Sequence, residues 1–170
     1  MRKAILIYPE FPKASYWNFR AAHERIFPKN EFGYAKGVIP PLGLLCIVGP
    51  IADRYGRANV RLIDMNVRPL TDEDLEWADD VYLSAMLTQS VSFDDMARRA
   101  KALGKTTIGG GPYVSETTPN LDFVFIGESE YTLGPFLDEL LRGTPERVQR
   151  DERPRPSGSV NTDVMSAARR

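Results

Sequence analysis

The sequence predicts an α/β domain built on a parallel sheet with helices on both faces, and two observations carry that prediction. Five short runs rich in β-branched and aromatic residues, at positions 3–8, 59–64, 80–84, 106–108 and 122–126, each lead into a turn or a polar segment. Helical patterns separate them. A helix between successive strands is the connection that parallel pairing requires, and a parallel sheet needs cover on both faces.

The elements follow in order. Behind the first strand, residues 10–40 hold aromatics, prolines and basic groups without sustained periodicity. That is far longer than an ordinary strand-to-helix loop and predicts a functional segment. Residues 42–55 read as one helix, within which Cys46 is expected to be a small buried hydrophobe. Thr71 opens the stretch TDEDLEW, an N-cap with acidic groups in the first turn of a short helix. In the helix predicted over 93–103, Phe93, Met96, Ala97, Ala100 and Leu103 recur at helical spacing. A last helix spans 131–141, and Gly104 and Gly143 stand where helix-ending glycines belong. From Pro145 the composition turns to Arg, Pro, Ser and Asp. Residues 154–170 are expected to be a disordered tail, so that the folded domain is 1–150 and 151–170 a tail or linker. No internal repeat is visible.

Composition excludes several classes of function. The 170 residues suit one domain, and a formal net charge of −1 gives no electrostatic reason to expect nucleic acid or an anionic membrane. The apolar run Ala4 to Tyr8 is too short for a signal peptide or a membrane span, so a cytoplasmic location is expected. The single cysteine excludes an internal disulfide, a cysteine-built zinc site and an iron–sulfur cluster held by this chain alone.

Ligands of open parallel sheets bind beyond the carboxyl ends of the strands, near the point where strand order reverses. The unusual residues fall there. Tyr8 and Pro9 follow the first strand, SAMLTQ from Ser84 to Gln89 the third, Gly109, Gly110, Gly111 and Pro112 the fourth, and Gly127 and Glu128 the fifth. Three successive glycines cost entropy in any element. They form either a tight turn and helix start or a bare stretch against which a large ligand can lie. No Lys-Ser or Lys-Thr follows them and their spacing is not G-x-G-x-x-G, so neither a phosphate loop nor a dinucleotide fingerprint is present. Asp64 without such a fingerprint is expected in a loop or cap. Glu10, Asp64 and Lys105 do not make a phosphorylation site of the receiver type, because the acidic pair after the first strand is missing.

Taken in order, YPEF, IPPLGLL, LIDMNVRPLTDEDL, LSAMLTQ, IGGGP and IGESEYTLGPFLDELLRG resemble the cobalamin (vitamin B12)-binding domain that precedes the catalytic barrel of cobalamin-dependent radical SAM proteins. The likeness covers roughly residues 3–150 and is specific as an ordered set rather than in any one segment. It implies a flavodoxin-like, Rossmann-like fold of five parallel strands. It also implies roles: Ser84, Ala85, Met86, Leu87, Thr88 and Gln89 beside the dimethylbenzimidazole tail and lower corrin face, and Gly109, Gly110, Gly111 and Pro112 as the turn that lets the tail descend. Gly127 and Glu128, with Tyr131 and Thr132, resemble the loop closing over the tail's ribose and phosphate. Pro41, Leu42, Gly43 and Leu44 resemble the helix start under the corrin.

Two departures from better-known relatives matter. Cobalamin domains of methyltransferases and mutases carry Asp-x-His-x-x-Gly after the first strand, whereas here Pro9-Glu-Phe-Pro-Lys stands there without a histidine. The resemblance therefore implies cobalamin bound with its base displaced and no histidine on cobalt. His23, the sole histidine, reads as an ordinary exposed side chain. The radical SAM domain's cysteine motif is also absent from these residues, so the chain is expected to act as a carrier, a sensor or the cobalamin module of a larger system, with a radical SAM protein or domain as partner. In the long loop, Trp17, Phe19, Phe27, Phe32 and Tyr34 read as a lid or docking surface, or as plain packing. An alternative from another class is a small flavodoxin-like enzyme binding flavin or a nucleotide, with Ser84, Thr88 and the glycines on phosphate. It is weaker because the phosphate loop of such proteins follows the first strand.

Overall fold

The computed structural model describes residues 2–13, 40–143 and 145–153. Among the described residues six strands form one sheet: β1 (Ala4–Tyr8), β2 (Val60–Asp64), β3 (Asp80–Ser84), β4 (Thr106–Gly110), β5 (Phe123–Ile126) and β6 (Val148–Arg150), in the spatial order β2-β1-β3-β4-β5-β6. Every neighbouring pair is parallel. Among the described residues four helices alternate with them: α1 (Leu42–Tyr55), α2 (Asp72–Trp77), α3 (Ser90–Ala102) and α4 (Leu133–Arg142).

The pleat of β1 explains why both faces must be covered. All five of its residues are buried. Ala4, Leu6 and Tyr8 join a core with Leu44, Ile51 and Tyr55 of α1 and Phe136, Leu137 and Leu140 of α4. Ile5 and Ile7 point the other way, into a core with Leu75 of α2 and Phe93, Met96, Ala97 and Ala100 of α3. A strand apolar at every position cannot face water, so α1 and α4 cover one side of the sheet and α2 and α3 the other.

Local chemistry sets the helix ends. The Thr71 hydroxyl accepts from the Asp74 N–H while the Asp74 carboxylate accepts from the Thr71 N–H, closing a capping box on α2. Arg68 donates to both oxygens of Asp74, and this pairing, with the Thr71 bonds, holds the carboxyl down at about 2 against the desolvation that opposes it. Gly104 and Gly143 end α3 and α4 with φ of 68° and 85°, a region that disfavours side chains. Among the described residues no helix is long and apolar enough to cross a membrane.

The structure corrects the sequence reading at four points. The sheet has six strands rather than five. β6 is only Val-Gln-Arg, too short and too polar to register as a run, and it lies at the sheet's edge beside β5. β4 extends through Gly110, so Gly109 and Gly110 are strand residues rather than a turn behind the strand. Leu103 follows the last turn of α3 and is exposed, unlike the four apolar residues before it. Cys46 is also exposed, because it shares an outward face of α1 with Leu42, Leu45 and Gly49, one helical repeat apart. The readings of His23, of the aromatics between Trp17 and Tyr34, and of 154–170 lie outside the described residues.

Candidate ligand-binding crevice

Strand order reverses between β1 and β3: the chain steps outward from β1 to β2, then returns to the other side of β1 and proceeds through β4, β5 and β6. In open parallel sheets such a reversal marks where ligands bind, which makes the carboxyl ends of β1 and β3 the candidate crevice. The ends are level, since Tyr8 pairs with Asp64, Ile7 with Leu83 and Ser84 with Gly110.

Four small residues form a nook on the α1 side of this edge. Ser84 shares the face of Tyr82, which packs in the α1–α4 core, and a Cβ at Gly43 would come 3.9 Å from the Ser84 hydroxyl. Gly111, at φ 91°, closes the nook: a Cβ there would stand 2.8 Å from that hydroxyl and 3.1 Å from the Ala85 carbonyl. Gly110 differs from both neighbours. A Cβ at Gly109 would enter the Leu121 side chain at 2.4 Å, whereas one at Gly110 would make only ordinary contact with Phe125 at 3.5 Å. Packing accounts for Gly109, and backbone geometry for Gly111. Neither accounts for Gly110, which lies beside Ser84 and where an added Cβ would meet no tight contact among the described residues.

Apolar groups surround this bare patch. Leu42 is 65% exposed at the start of α1, and Leu45, Met86 and Leu87 are exposed as well. Pro41 and Leu44 are buried under the helix start, Ala85 under the β3 loop, and Thr88 and Pro112 are exposed at the mouth. Tyr8 and Pro9 are buried. Burial raises the pKa of the Tyr8 phenol, Asp64 adds to the rise, and the Gln89 amide acts against it.

The β5 loop stands apart from the nook. Thr132 is half-buried, its hydroxyl 3.5 Å from the Ser129 carbonyl, while Gly127 and Glu128 are exposed. A Cβ at Gly127 would come 3.5 Å from Asp151, and the Arg153 guanidinium lies 3.1 Å from the centre of the Tyr131 ring while also gripping Asp151. The segment after β6 thus packs on this loop. Sequence reasoning placed Asp151 and Arg153 in a tail, and without β6 there was no signal that the chain returns here. It also passed over Asn66, whose N–H donates to the Asp64 carboxylate two residues before it in an Asx turn; the Asp-x-Asn spacing was the available signal.

The amino edge of the sheet contrasts with this one. Asp80, fully buried, accepts from Arg2 and, at 2.7 Å, from the Tyr55 hydroxyl, and Arg2 also reaches Thr106 at 3.0 Å. The carboxylate raises the pKa of Arg2, and burial, with Asp80, raises that of Tyr55. An open depression of about 540 Å³ lies beside this network, lined by Arg2, Asp79, Leu103, Gly104, Lys105 and Thr106. Arg2 is committed to Asp80, and Lys105 donates to the Glu76 carbonyl. The depression therefore offers little for a ligand to bind, and the carboxyl edge is the stronger candidate despite its open shape.

The sequence matches no protein-family model. It is 32% identical over 158 residues to an uncharacterized methyltransferase of Synechocystis sp., covering 89% of this chain and 27% of that protein. It is 31% identical over 155 residues to a hopanoid C-2 methylase of Rhodopseudomonas palustris, again covering 89% of this chain and 27% of the other. The chain thus spans about a quarter of the length of these curated relatives, both methyltransferase-type proteins by name. Among solved structures, the N-terminal domain of a hypothetical protein from Thermotoga maritima aligns with 64% of this chain and 88% of that one, at 22% identity and a TM-score of 0.41.

Proposed function

We propose that this chain is the cobalamin-binding module of a methyltransferase-type system, holding the cofactor base-off at the carboxyl edge of its sheet. The observation that carries the reading is Gly110: a strand residue beside Ser84, kept without a side chain where, among the described residues, a side chain would fit. A bare backbone there leaves room for a bulky group to lie between the strand ends and the start of α1. Similarity to proteins named methyltransferase and methylase along 89% of the chain supports the same reading.

The donor set suits the group. Leu42, Met86 and Leu87 offer exposed apolar surface to the flat face of a corrin, and Gly43, Ser84, Gly110 and Gly111 offer small groups and backbone to its tail. When bound, cobalamin supplies a cobalt centre able to carry a methyl group. The chain's own residues bind it, shield it from water and present it; the methyl donor, the acceptor and the remaining catalytic machinery belong to a partner protein or domain, of the radical SAM class by resemblance.

The test is retention of the cofactor. After incubation with hydroxocobalamin and desalting, the protein fraction is expected to keep the corrin absorption bands, while flavin mononucleotide treated alike is washed away. A colourless protein fraction after hydroxocobalamin would overturn the reading.

A further inference from the structure

Gln89 is fully buried although it stands in a loop at the mouth of the crevice, in the short 3-10 turn Leu87–Gln89. Burying a primary amide is unfavourable unless both of its ends are bonded. Both are: Nε2 donates to the Pro9 carbonyl, and Oε1 accepts from the Met86 N–H at 2.9 Å. Pro9 lies just past β1 and Met86 just past β3, the two strands that flank the reversal of order. From the β2 side, the Asn66 amide also donates to the Pro9 carbonyl, at 3.2 Å, and accepts from the Phe11 N–H at 2.9 Å. One carbonyl oxygen therefore gathers the ends of three strands.

We infer that Gln89 is a positioning residue of the crevice: its amide fixes the separation of the two lips and the seat of Met86 and Leu87 without itself touching the ligand. Gln89 presents no surface to a ligand, whereas the two residues it anchors are exposed. The inference rests on the cobalamin reading for what fills the crevice; the clamp itself stands on the hydrogen bonds.

Two substitutions separate bridge from bulk. Gln89→Leu keeps volume and removes both bonds. Gln89→Glu keeps the acceptor for Met86, but as a carboxylate it repels the Pro9 carbonyl, and only when protonated can it donate there; burial raises the pH at which that happens. The measurements are backbone amide exchange at Glu10, Phe11 and Met86 without ligand, thermal melting, and hydroxocobalamin affinity by absorbance titration.

Exchange at those three amides is expected to accelerate about tenfold in Gln89→Leu while amides in the middle of β3 and β4 keep parental rates, and affinity is expected to fall about tenfold. Gln89→Glu is expected to show the same losses near pH ~8 and to recover to within about threefold of the parent near pH ~5.5. Should Gln89→Leu fail to fold, Asn66→Ala, at a half-buried position, is expected to speed exchange at Glu10 and Phe11. Unchanged exchange at these amides, uniform acceleration across the sheet, or a pH-independent Gln89→Glu would each overturn the clamp. If the parent retains no hydroxocobalamin, the proposed function fails while the exchange data still decide the clamp.

Discussion

The two ends of one sheet are built on opposite principles. At the amino edge, a buried carboxylate, Asp80, is held by Arg2 and Tyr55, and polar groups converge inward on one another. At the carboxyl edge the last residues of β3 and β4, Ser84 and Gly110, are small or bare, and the buried amide of Gln89 and the half-buried one of Asn66 both donate to the Pro9 carbonyl. Stability is thus concentrated in side-chain chemistry at one end. Among the described residues, the other end is a surface of small groups and backbone held in place by those amides. The Tyr82 hydroxyl marks how tightly the amino end is closed: it is buried without a hydrogen bond of normal geometry, and burial together with Tyr55 and Asp80 raises its pKa well above the usual phenol range.

The largest expected effect comes from breaking the amino end. Asp80→Ala leaves Arg2 and the Tyr55 hydroxyl without their shared acceptor and is expected to cost about 3 kcal/mol of stability, the low end for a broken buried ion pair because Arg2 can turn to water. Denaturant unfolding measures the loss, and the cobalamin affinity of the folded protein is expected to stay at the parental value. A loss of binding at unchanged stability would mean that the two ends are not separate in function.

The carboxyl end should respond in the reverse way. Gly110→Val meets only ordinary contacts at its Cβ, so the chain is expected to fold with parental circular dichroism and melting temperature. Its branched methyls fill the nook, and cobalamin affinity is expected to fall by at least ~1.4 kcal/mol, a tenfold loss. Ser84→Leu, facing the same space, should act in the same direction. Parental affinity in the valine variant would remove the main support for placing a ligand there.

A smaller effect sharpens the comparison by lying at neither end of the crevice. Asp74 is held at about 2 by Arg68 and Thr71, below its ordinary value of 3.8. A depressed carboxyl contributes stability that is complete well above 3.8 and lost as the pH falls through about 2. Asp74→Asn is therefore expected to be about 1 kcal/mol less stable than the parent near neutrality. That gap should close in acid, as followed by melting temperature across the pH range. A gap that persists below both values would assign the effect to packing rather than charge.

Much of the scaffold was legible in the chain because it depends on local pattern. Apolar periodicity located five strands and the helices to within a few residues, and Thr71, Gly104 and Gly143 acted as the caps their chemistry predicts. What escaped depends on distant partners. Val148 to Arg150 becomes a strand only because β5 offers an edge to pair with. Cys46 looked buried because Leu44-Leu-Cys-Ile-Val carries no polar residue to mark which face turns outward. The candidate edge was legible as a set of strand ends. The three glycines were not separable, however, until Leu121, Phe125 and Ser84 were seen beside them. Nor could spacing reveal that the amide of Gln89 is spent on a carbonyl 80 residues away.

The outward-facing thiol on α1 has a practical meaning. Cys46 is the only sulfhydryl in the chain, and it lies one turn along the helix from Gly43, where the nook begins. A maleimide fluorophore or nitroxide therefore attaches at a single known place without any cysteine having to be engineered or removed. Under the proposed function, a corrin bound nearby, which absorbs strongly in the visible, is expected to quench such a dye, so that the helix becomes an optical gauge of how full the crevice is.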